Sequence, residues 1–574
     1  MTGVVVATTR LTGLLAVLAV ALPSGRHVLR PRLDRWLGLP YHHATIAALV
    51  TTAVAGVGLL CLATGLRRRK RRAWQLATAA AALITVLQLT FHHSHLLALV
   101  GAGLVALLII TQGEFAALPD PASGRWRAVA LFLQFAIAGV AINVLVLTVS
   151  SHMLVGRPGI GQKLEHATLA LIGVSGPIQF RAELLDDLTA TIGLGFGLTA
   201  ALLAGYLLLR SAEPQPSMPT EHRQRLRELV TAYGRGDSLA YFALRSDKSV
   251  VFSPSGKAAV SYRVLAGVAL CSGDPLGDPE AWPAAIIAFL RTCTRYGWVP
   301  AVLGCSERGA TVWCRHGLRA LELGDEAVVD STTFTTSGRA MRGVRQMAAR
   351  ASRAGYRVRV SHVTQLDPDR RHHLAELADR WRGTEPERGF SMALGRVAHD
   401  DDPACVVVTA EQHGQVRGLL QFAPWGRDGL SLDLMRRDHG NIGTGLNELM
   451  IVELLAACPD LGIQRVSLNF AAFRAALARG EQLGAGPIAR LWARALRLGS
   501  RWWQIDSLYR FNNKFHPQWT PRYIVFPAAR ELPRITLAAL EAEGFAGRPP
   551  ILLRVLHRTT PQALTPTGPP ASIR

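Results

Sequence analysis

The segment richest in chemistry is Leu430-Ser-Leu-Asp-Leu-Met-Arg-Arg437, followed by Asp438-His-Gly-Asn-Ile-Gly-Thr-Gly445 and an apolar stretch from Leu446. It reads as a strand, a glycine-rich loop and a helix. Free backbone N–H groups at such a helix start bind phosphate, so Gly443 and Gly445 are candidate phosphate-binding positions. A plain strand–turn–helix joint would use the same glycines. Asp433 offers a carboxylate and Arg436 a guanidinium. Residues three apart on a strand point to opposite faces, so the two share a site only if the strand bends or ends between them. A structural salt bridge is the other use of such a pair. Asn469 places an amide inside the strand-like run Val466 to Phe470, where it either holds a substrate group or pairs a sheet edge.

One-sided charge is the second feature. Arg339, Arg342, Arg345, Arg350, Arg353, Arg357 and Arg359 fall within one short stretch that has no acidic residue. Read as a helix, the stretch puts Arg342, Arg345 and Arg353 near one face and Met341, Val344 and Ala348 on another. A solvated helix face mixes its charges. A purely basic one suits a nucleic-acid backbone or lipid headgroups. The formal charge of the whole chain, +22, favours the same kinds of partner. The seven cysteines form no CxxC pair and stand near no histidine cluster, which argues against a zinc site or disulfide framework and for a reducing compartment.

These residues need positioning elements, and the chain divides into two kinds. Residues 1–210 read as a polytopic α-helical membrane domain. Ala44–Leu66, Ala128–Ser150 and Leu188–Leu209 are uncharged and long enough to span a hydrocarbon core of about 20 residues. Ala73–Thr90 and Leu96–Thr111 are shorter, and Val4–Pro23 contains Arg10, giving about six spans. The basic cluster Arg67 to Arg72 places its loop, and all that follows residue 210, in the cytosol. Arg26, Arg30, Arg32 and Arg35 oppose that orientation unless the first segment is interfacial. A proline-containing linker covers 211–220, and the Pro/Thr/Ser-rich end, 559–574, reads as disordered. Residues 221–558 alternate strand and helix, an α/β or α+β pattern made in two passes, 221–365 and 366–558. Ala240–Leu244 and Thr311–Cys314 are read as strands within the first pass.

Several stretches, taken in order, resemble one family. They are Ser272-Gly-Asp-Pro-Leu-Gly277, Gly338-Arg-Ala-Met-Arg342, Gly389-Phe-Ser-Met-Ala-Leu-Gly-Arg396, Asp433-Leu-Met-Arg436, Leu446-Asn-Glu-Leu-Met450, Leu468-Asn-Phe-Ala471 and Phe511-Asn-Asn-Lys-Phe-His-Pro-Gln-Trp-Thr-Pro-Arg-Tyr523. The set is similar to the C-terminal domain of the phosphatidylglycerol lysyltransferases, the multiple-peptide-resistance family, over about residues 225–530. The resemblance implies tandem GCN5-like acyltransferase folds after the membrane domain. It also implies aminoacyl-tRNA as co-substrate with no other cofactor, phosphatidylglycerol as acceptor, and a multi-pass protein of the bacterial cytoplasmic membrane with its catalytic half in the cytosol. The product lipid would be less anionic, which lowers sensitivity to cationic peptides. The larger family members carry more spans, so lipid flipping is not implied here.

For that reaction a base, an oxyanion cation and an anion site are needed. The resemblance makes Asp433, Arg436 and Lys514 the catalytic candidates, and Glu448, Asn469, Arg522, Ser391 and Arg396 the substrate-binding ones. Gly443, Gly445, Arg339, Arg342, Arg345 and Arg353 are left for tRNA or phosphate. Glu448 could equally be a favourable charge against a helix dipole. His516, in a proline-flanked turn, is a weaker acid–base candidate. An acetyl-CoA-dependent transferase, a non-enzymatic lipid sensor and transfer to another membrane acceptor remain alternatives. The transferred amino acid and self-association are open.

Overall fold

The computed structural model describes the chain apart from residues 1, 22–40, 90–94, 116, 118–124, 175, 182, 210–212, 215, 217, 386, 439, 441–444, 473–504 and 546–574. The tail read as disordered and Gly443 lie outside the described residues. The chain forms two compact units, one holding residues 1–212 with Thr294–Trp298, the other the remainder from Glu213.

The first unit is helical. Its helices are α1 (Thr2–Ala21), α2 (Tyr41–Arg67), α3 (Arg71–Leu87), α4 (His95–Ile110), α5 (Arg125–Val149), α6 (Ile160–Ala170) and α7 (Glu183–Leu209). Small and aliphatic residues of α1 to α4, among them Ala16, Leu59, Ala77 and Leu104, bury one another. Ala128–Val149 of α5 and Leu185–Gly205 of α7 are long and apolar enough to cross a membrane. Gly3–Leu18, Val54–Arg67 and Leu96–Ile110 are shorter apolar helices. Ile137, Leu145 and Val149 are all more than 60% exposed, a surface that water would not favour. The short helix α6 was not foreseen in the sequence; its eleven residues mix Gln162, Lys163, Glu165 and His166 with alanines and leucines.

The second unit is built on one mixed sheet with helices on its faces. Its elements are α8 (Thr220–Tyr233), β1 (Ser249–Phe252), β2 (Ala258–Leu265), β3 (Val268–Ser272), β4 (Leu276–Gly277), α9 (Trp282–Tyr296), β5 (Val299–Cys305), α10 (Glu307–Arg315), β6 (Arg319–Asp330), α11 (Arg342–Arg353), β7 (Arg357–His362) and α12 (Pro368–Arg382). Then follow β8 (Val406–Gln412), β9 (Gln415–Trp425), β10 (Gly429–Arg437), α13 (Leu446–Ala457), β11 (Arg465–Ala472), α14 (Ile505–Asn513), β12 (Gln518–Phe526) and α15 (Leu532–Ala542).

The sheet order is β1-β2-β3-β5-β12-β6-β11-β10-β9-β8-β7, with β4 on β2. Strands from either side of residue 365 therefore exchange places: β7 pairs with β8, and β12 lies antiparallel between β5 and β6. Both faces of the central strands are covered. Val406 and Val408 of β8 join α11 and α13, whereas Val407 joins α8 and α12. Double burial explains why these strands read as continuous apolar runs.

Two local expectations are corrected. Ala240–Leu244 is a fully buried 3-10 turn, because an all-apolar run of five residues carries no period to tell strand from turn. Thr311–Cys314 lies inside α10, whose N-cap Ser306 accepts the Gly309 N–H.

At the seam, Arg522 of β12 is 3% exposed and uses all five N–H groups. Nε donates to Glu326 Oε2 at 2.9 Å, Nη1 to Asp237 Oδ1 at 2.7 Å and Gly304 O at 3.1 Å, and Nη2 to Ser238 Oγ and Glu326 Oε2, both at 2.6 Å. Against the cost of burial, Glu326 and Asp237 raise its pKa further. Arg522→Met would leave two buried carboxylates without their cation, so it should destabilise the second unit by about 3–5 kcal/mol. Chemical denaturation followed by tryptophan emission would measure this; a change under about 1 kcal/mol would show the network to be dispensable.

Candidate active site

β10 and β11 run parallel but pair only at Gly429↔Arg465, Leu430↔Val466 and Ser431↔Ser467. Beyond that point β10 continues against β9 to Arg437, and β11 continues against β6 to Ala472. Two parallel strands that stop pairing while both continue leave a wedge between their facing edges. Each arm carries an irregularity just past the apex. In β10 the register breaks between Leu432 and Leu434, leaving Asp433 as the extra residue. In β11 it breaks between Ser467 and Phe470, with Asn469 left-handed at φ 84°.

The β10 bulge resolves the alternation problem. Leu430, Leu432 and Met435 pack on the α13 face, whereas Leu434 packs on the α12 face. The extra residue shifts the period, so Asp433 and Arg436 come to the same face of the sheet. They do not share a partner. Asp433 Oδ1 accepts the Leu394 N–H at 2.6 Å, and Oδ2 accepts the Gln421 side-chain amide. Burial pushes the Asp433 carboxyl up to about 7, against the pull of those two donors. Arg436 donates from Nη2 to both Glu387 oxygens at 2.8 Å and from Nη1 to Ala378 O at 2.7 Å. The expectation that Arg436 is a catalytic residue is corrected: its guanidinium ties β10 to the end of α12. Against burial, Arg436 and Arg382 hold Glu387 below the usual range.

Lys514 and Glu448 are brought together. Lys514 Nζ donates to Glu448 Oε1 at 2.8 Å; the lysine side chain is 42% exposed and the glutamate 7%. Glu448 sits in the first turn of α13, the next helix in the chain after the wedge's β10 arm. Asn512 Nδ2 donates to Leu468 O at 3.1 Å, which fixes the end of α14 beside the β11 arm, two residues before Lys514. A buried carboxylate and a solvent-reaching ammonium thus flank the wedge.

The other candidates divide by what they touch. Arg522 is enclosed in the seam, so the expectation that it binds substrate is corrected. Ser391 Oγ donates to Glu543 Oε1 at 2.6 Å, and Glu543 also accepts the Phe390 N–H. Arg396 forms a two-pronged pair with Asp402, which accepts Tyr241 Oη–H as well. Ser391 and Arg396 therefore hold the segment 389–402 and do not face an open site. Gly445, at φ 104°, has no room for a side chain: a Cβ there would lie 2.2 Å from Met347 O of α11.

The basic helix ends at Arg353, and Arg357 and Arg359 stand on β7 instead. The face expected to be apolar is buried, through Met341, Val344 and Ala348, and packs on Leu446, Leu449 and Met450 of α13. Arg339, Arg342, Arg345 and Arg353 are exposed. Arg345 turns back to Gly338 O at 3.2 Å. His516 is in a left-handed turn at φ 50°.

Sequence reasoning missed Gln421, Arg245, Glu543 and Asp402. Arg245 Nη1 donates to Ala393 O at 2.5 Å, so three groups from outside, Arg245, Glu543 and Gln421, clamp the segment that Asp402 closes from within. Only Gln421 left a trace, as a polar residue inside the apolar strand Gly418–Pro424.

A mixed α/β unit with one splayed parallel strand pair, flanked by carboxylates, a lysine and a basic helix, has the parts of a group-transfer site. The chain belongs to the family described as phosphatidylglycerol lysyltransferase, C-terminal, which matches residues 227–526. It is 41% identical over 501 residues to the lysylphosphatidylglycerol biosynthesis bifunctional protein LysX of Mycobacterium avium strain 104, covering 85% of this chain and 42% of that protein. The LysX of Mycobacterium tuberculosis strain H37Rv is 41% identical over 528 residues, covering 89% and 44%. The chain thus spans less than half the length of these relatives. The solved structure of L-PGS from Bacillus licheniformis aligns with a TM-score of 0.47 and 20% identity over 59% of this chain and 99% of that one.

Asp433 gives a pH test. Its folded pKa of about 7 lies above the ordinary 3.8, so the folded state holds the proton more tightly. Its contribution to stability is full below pH 3.8 and is lost as pH rises toward 7. The Asp433→Asn chain should show a flatter fall in unfolding midpoint between pH 5 and pH 8 than wild type. An unchanged slope would mean that the carboxyl titrates normally.

Proposed function

We propose that this protein moves a lysyl group from lysyl-tRNA onto phosphatidylglycerol at the cytosolic face of a bacterial cytoplasmic membrane, with two GCN5-like units forming the transferase and the helical unit anchoring it. The observation that carries the reading is the β10–β11 wedge, with Asp433 on one arm and the Glu448–Lys514 pair at its mouth. The names of the relatives supply lysine and the lipid. The exposed arginines of α11 supply a backbone-binding surface on a helix whose apolar face packs against α13.

In the reaction, a glycerol hydroxyl oxygen attacks the ester carbonyl carbon of the aminoacyl group. The hydroxyl proton passes to Asp433, whose raised pKa suits it to accept and return a proton near neutrality. Lys514 stabilises the oxyanion, and Glu448 holds that ammonium in place. The bond to the ribose oxygen then breaks, and the ribose hydroxyl takes the proton back from Asp433. One ester is lost and one is formed.

The test is expression of the full chain in a host without aminoacylated lipids, with lipid extracts read by mass spectrometry. A phosphatidylglycerol species heavier by one lysyl residue is expected. Lys514→Ala and Asp433→Asn should each lower its formation by about 10²–10⁴-fold. A lipid pool identical to the empty host, from well-folded protein with charged tRNA present, would overturn the reading. Acetyl-CoA binding without tRNA binding would replace it with a coenzyme A-dependent transferase.

A further inference from the structure

The region between α5 and α7 is built unlike the rest of the helical unit. Helix α6 has eleven residues, about 16 Å of rise, roughly half of a hydrocarbon core. It runs antiparallel along α5. Lys163 Nζ lies 3.5 Å from Thr148 Oγ1 near the end of α5, and the Leu171 side chain would be 2.9 Å from a Cβ at Gly139. Gly139 is at the middle of the apolar span Ala128–Val149. On α7, a Cβ at Gly193 would lie 2.6 Å from Ala170, and one at Gly197 would lie 1.9 Å from Leu171 O. Those glycines are at the middle of Leu185–Gly205. The tip of α6 therefore ends halfway along both neighbours, admitted by three glycines. The chain then returns to where it entered: Val155 N–H donates to Gln179 O at 3.0 Å and Arg181 N–H to Met153 O at 2.9 Å.

This hairpin is polar at a depth where α5 and α7 are apolar. Gln162, Glu165 and Thr168 form an exposed stripe one helical turn apart. Glu165 has no cationic partner among the described residues. Behind the stripe, Asn143 is fully buried and His166 is 3% exposed, and neither Asn143 Oδ1 nor His166 Nδ1 has a hydrogen-bond partner. Irregular backbone and polar side chains at membrane depth persist where they meet water or a ligand. Asn143 Oδ1 and the Glu165 carboxylate are acceptors, the second of them charged. At the mouth, Arg157 and Arg181 are exposed.

We infer that residues 154–174 and 176–181 form a re-entrant hairpin that receives the headgroup of a phospholipid bearing a primary ammonium, with Glu165 accepting the ammonium and Arg157 and Arg181 facing the phosphate. The inference rests on the reading that α5 and α7 cross a bilayer. Phosphatidylethanolamine and the aminoacyl lipid of the proposed reaction share this chemistry.

Two measurements on the full chain test it. In the first, single cysteines are placed in a cysteine-free background and labelled in spheroplasts with an impermeant maleimide. His152→Cys and Gln179→Cys should label from one side and Trp126→Cys only after permeabilisation. Labelling of 152 and 179 from opposite sides would overturn the hairpin. Labelling of 126 and 152 from the same side would overturn the membrane-crossing reading instead. In the second, thermal midpoints are read in detergent with added phosphatidylethanolamine, lysyl-phosphatidylglycerol, phosphatidylglycerol or phosphatidylcholine. The two ammonium lipids should raise the midpoint of wild type, and Glu165→Gln should need at least tenfold more of either. A response to only one of them identifies the source. Equal response to all four lipids, or none, or an unaltered Glu165→Gln titration, would overturn the site.

Discussion

A single buried guanidinium holds the second unit together. Arg522 comes from the last strand of the chain, yet its partners come from a loop before the first strand, from the end of β5 and from β6. A cation with that many donors is tolerable inside a protein only when every one is met. The geometry that meets them fixes where β12 must lie, between β5 and β6. Glu326, which takes two of the bonds, also accepts from Ser238 Oγ and from Ser467 Oγ at 2.5 Å. Ser467 is the last β11 residue paired with β10. The cluster at the seam therefore also pins the apex of the wedge.

From that apex the two arms separate because each has somewhere else to bond. β9 satisfies β10, and β6 satisfies β11, so opening the wedge leaves each arm paired on its outer edge. The bulges then re-aim side chains that a regular strand would have hidden. The segment 389–402 closes one face, held by Arg245, Glu543, Gln421 and Asp433 acting on its backbone. Asp433 consequently has a double character. It supports the segment beside the wedge through the Leu394 N–H, and its burial raises its hold on a proton.

The helical unit follows the same logic. Glycines on α5 and α7 let a short polar helix approach their backbones closely.

The sequence by itself determined the composition-level facts and the local ones. Uncharged runs marked the long helices, because length and hydropathy suffice for that. The strand–loop–helix at 430–446, the sided arginine helix and the ordered family motifs were legible because each is contiguous. Tertiary structure decided everything that depends on distant partners. Arg436 and Arg522 look in sequence like cations of the reaction site, but carboxylates far along the chain neutralise them. Lys514 and Glu448, 66 positions apart, meet only because β11 and α14 place them side by side. The same face for Asp433 and Arg436 required a bulge set by the pairing of β9 with β10. Side-chain type and spacing specify what a residue can do. The partner it meets, which sets charge, burial and proton affinity, is a property of the folded chain.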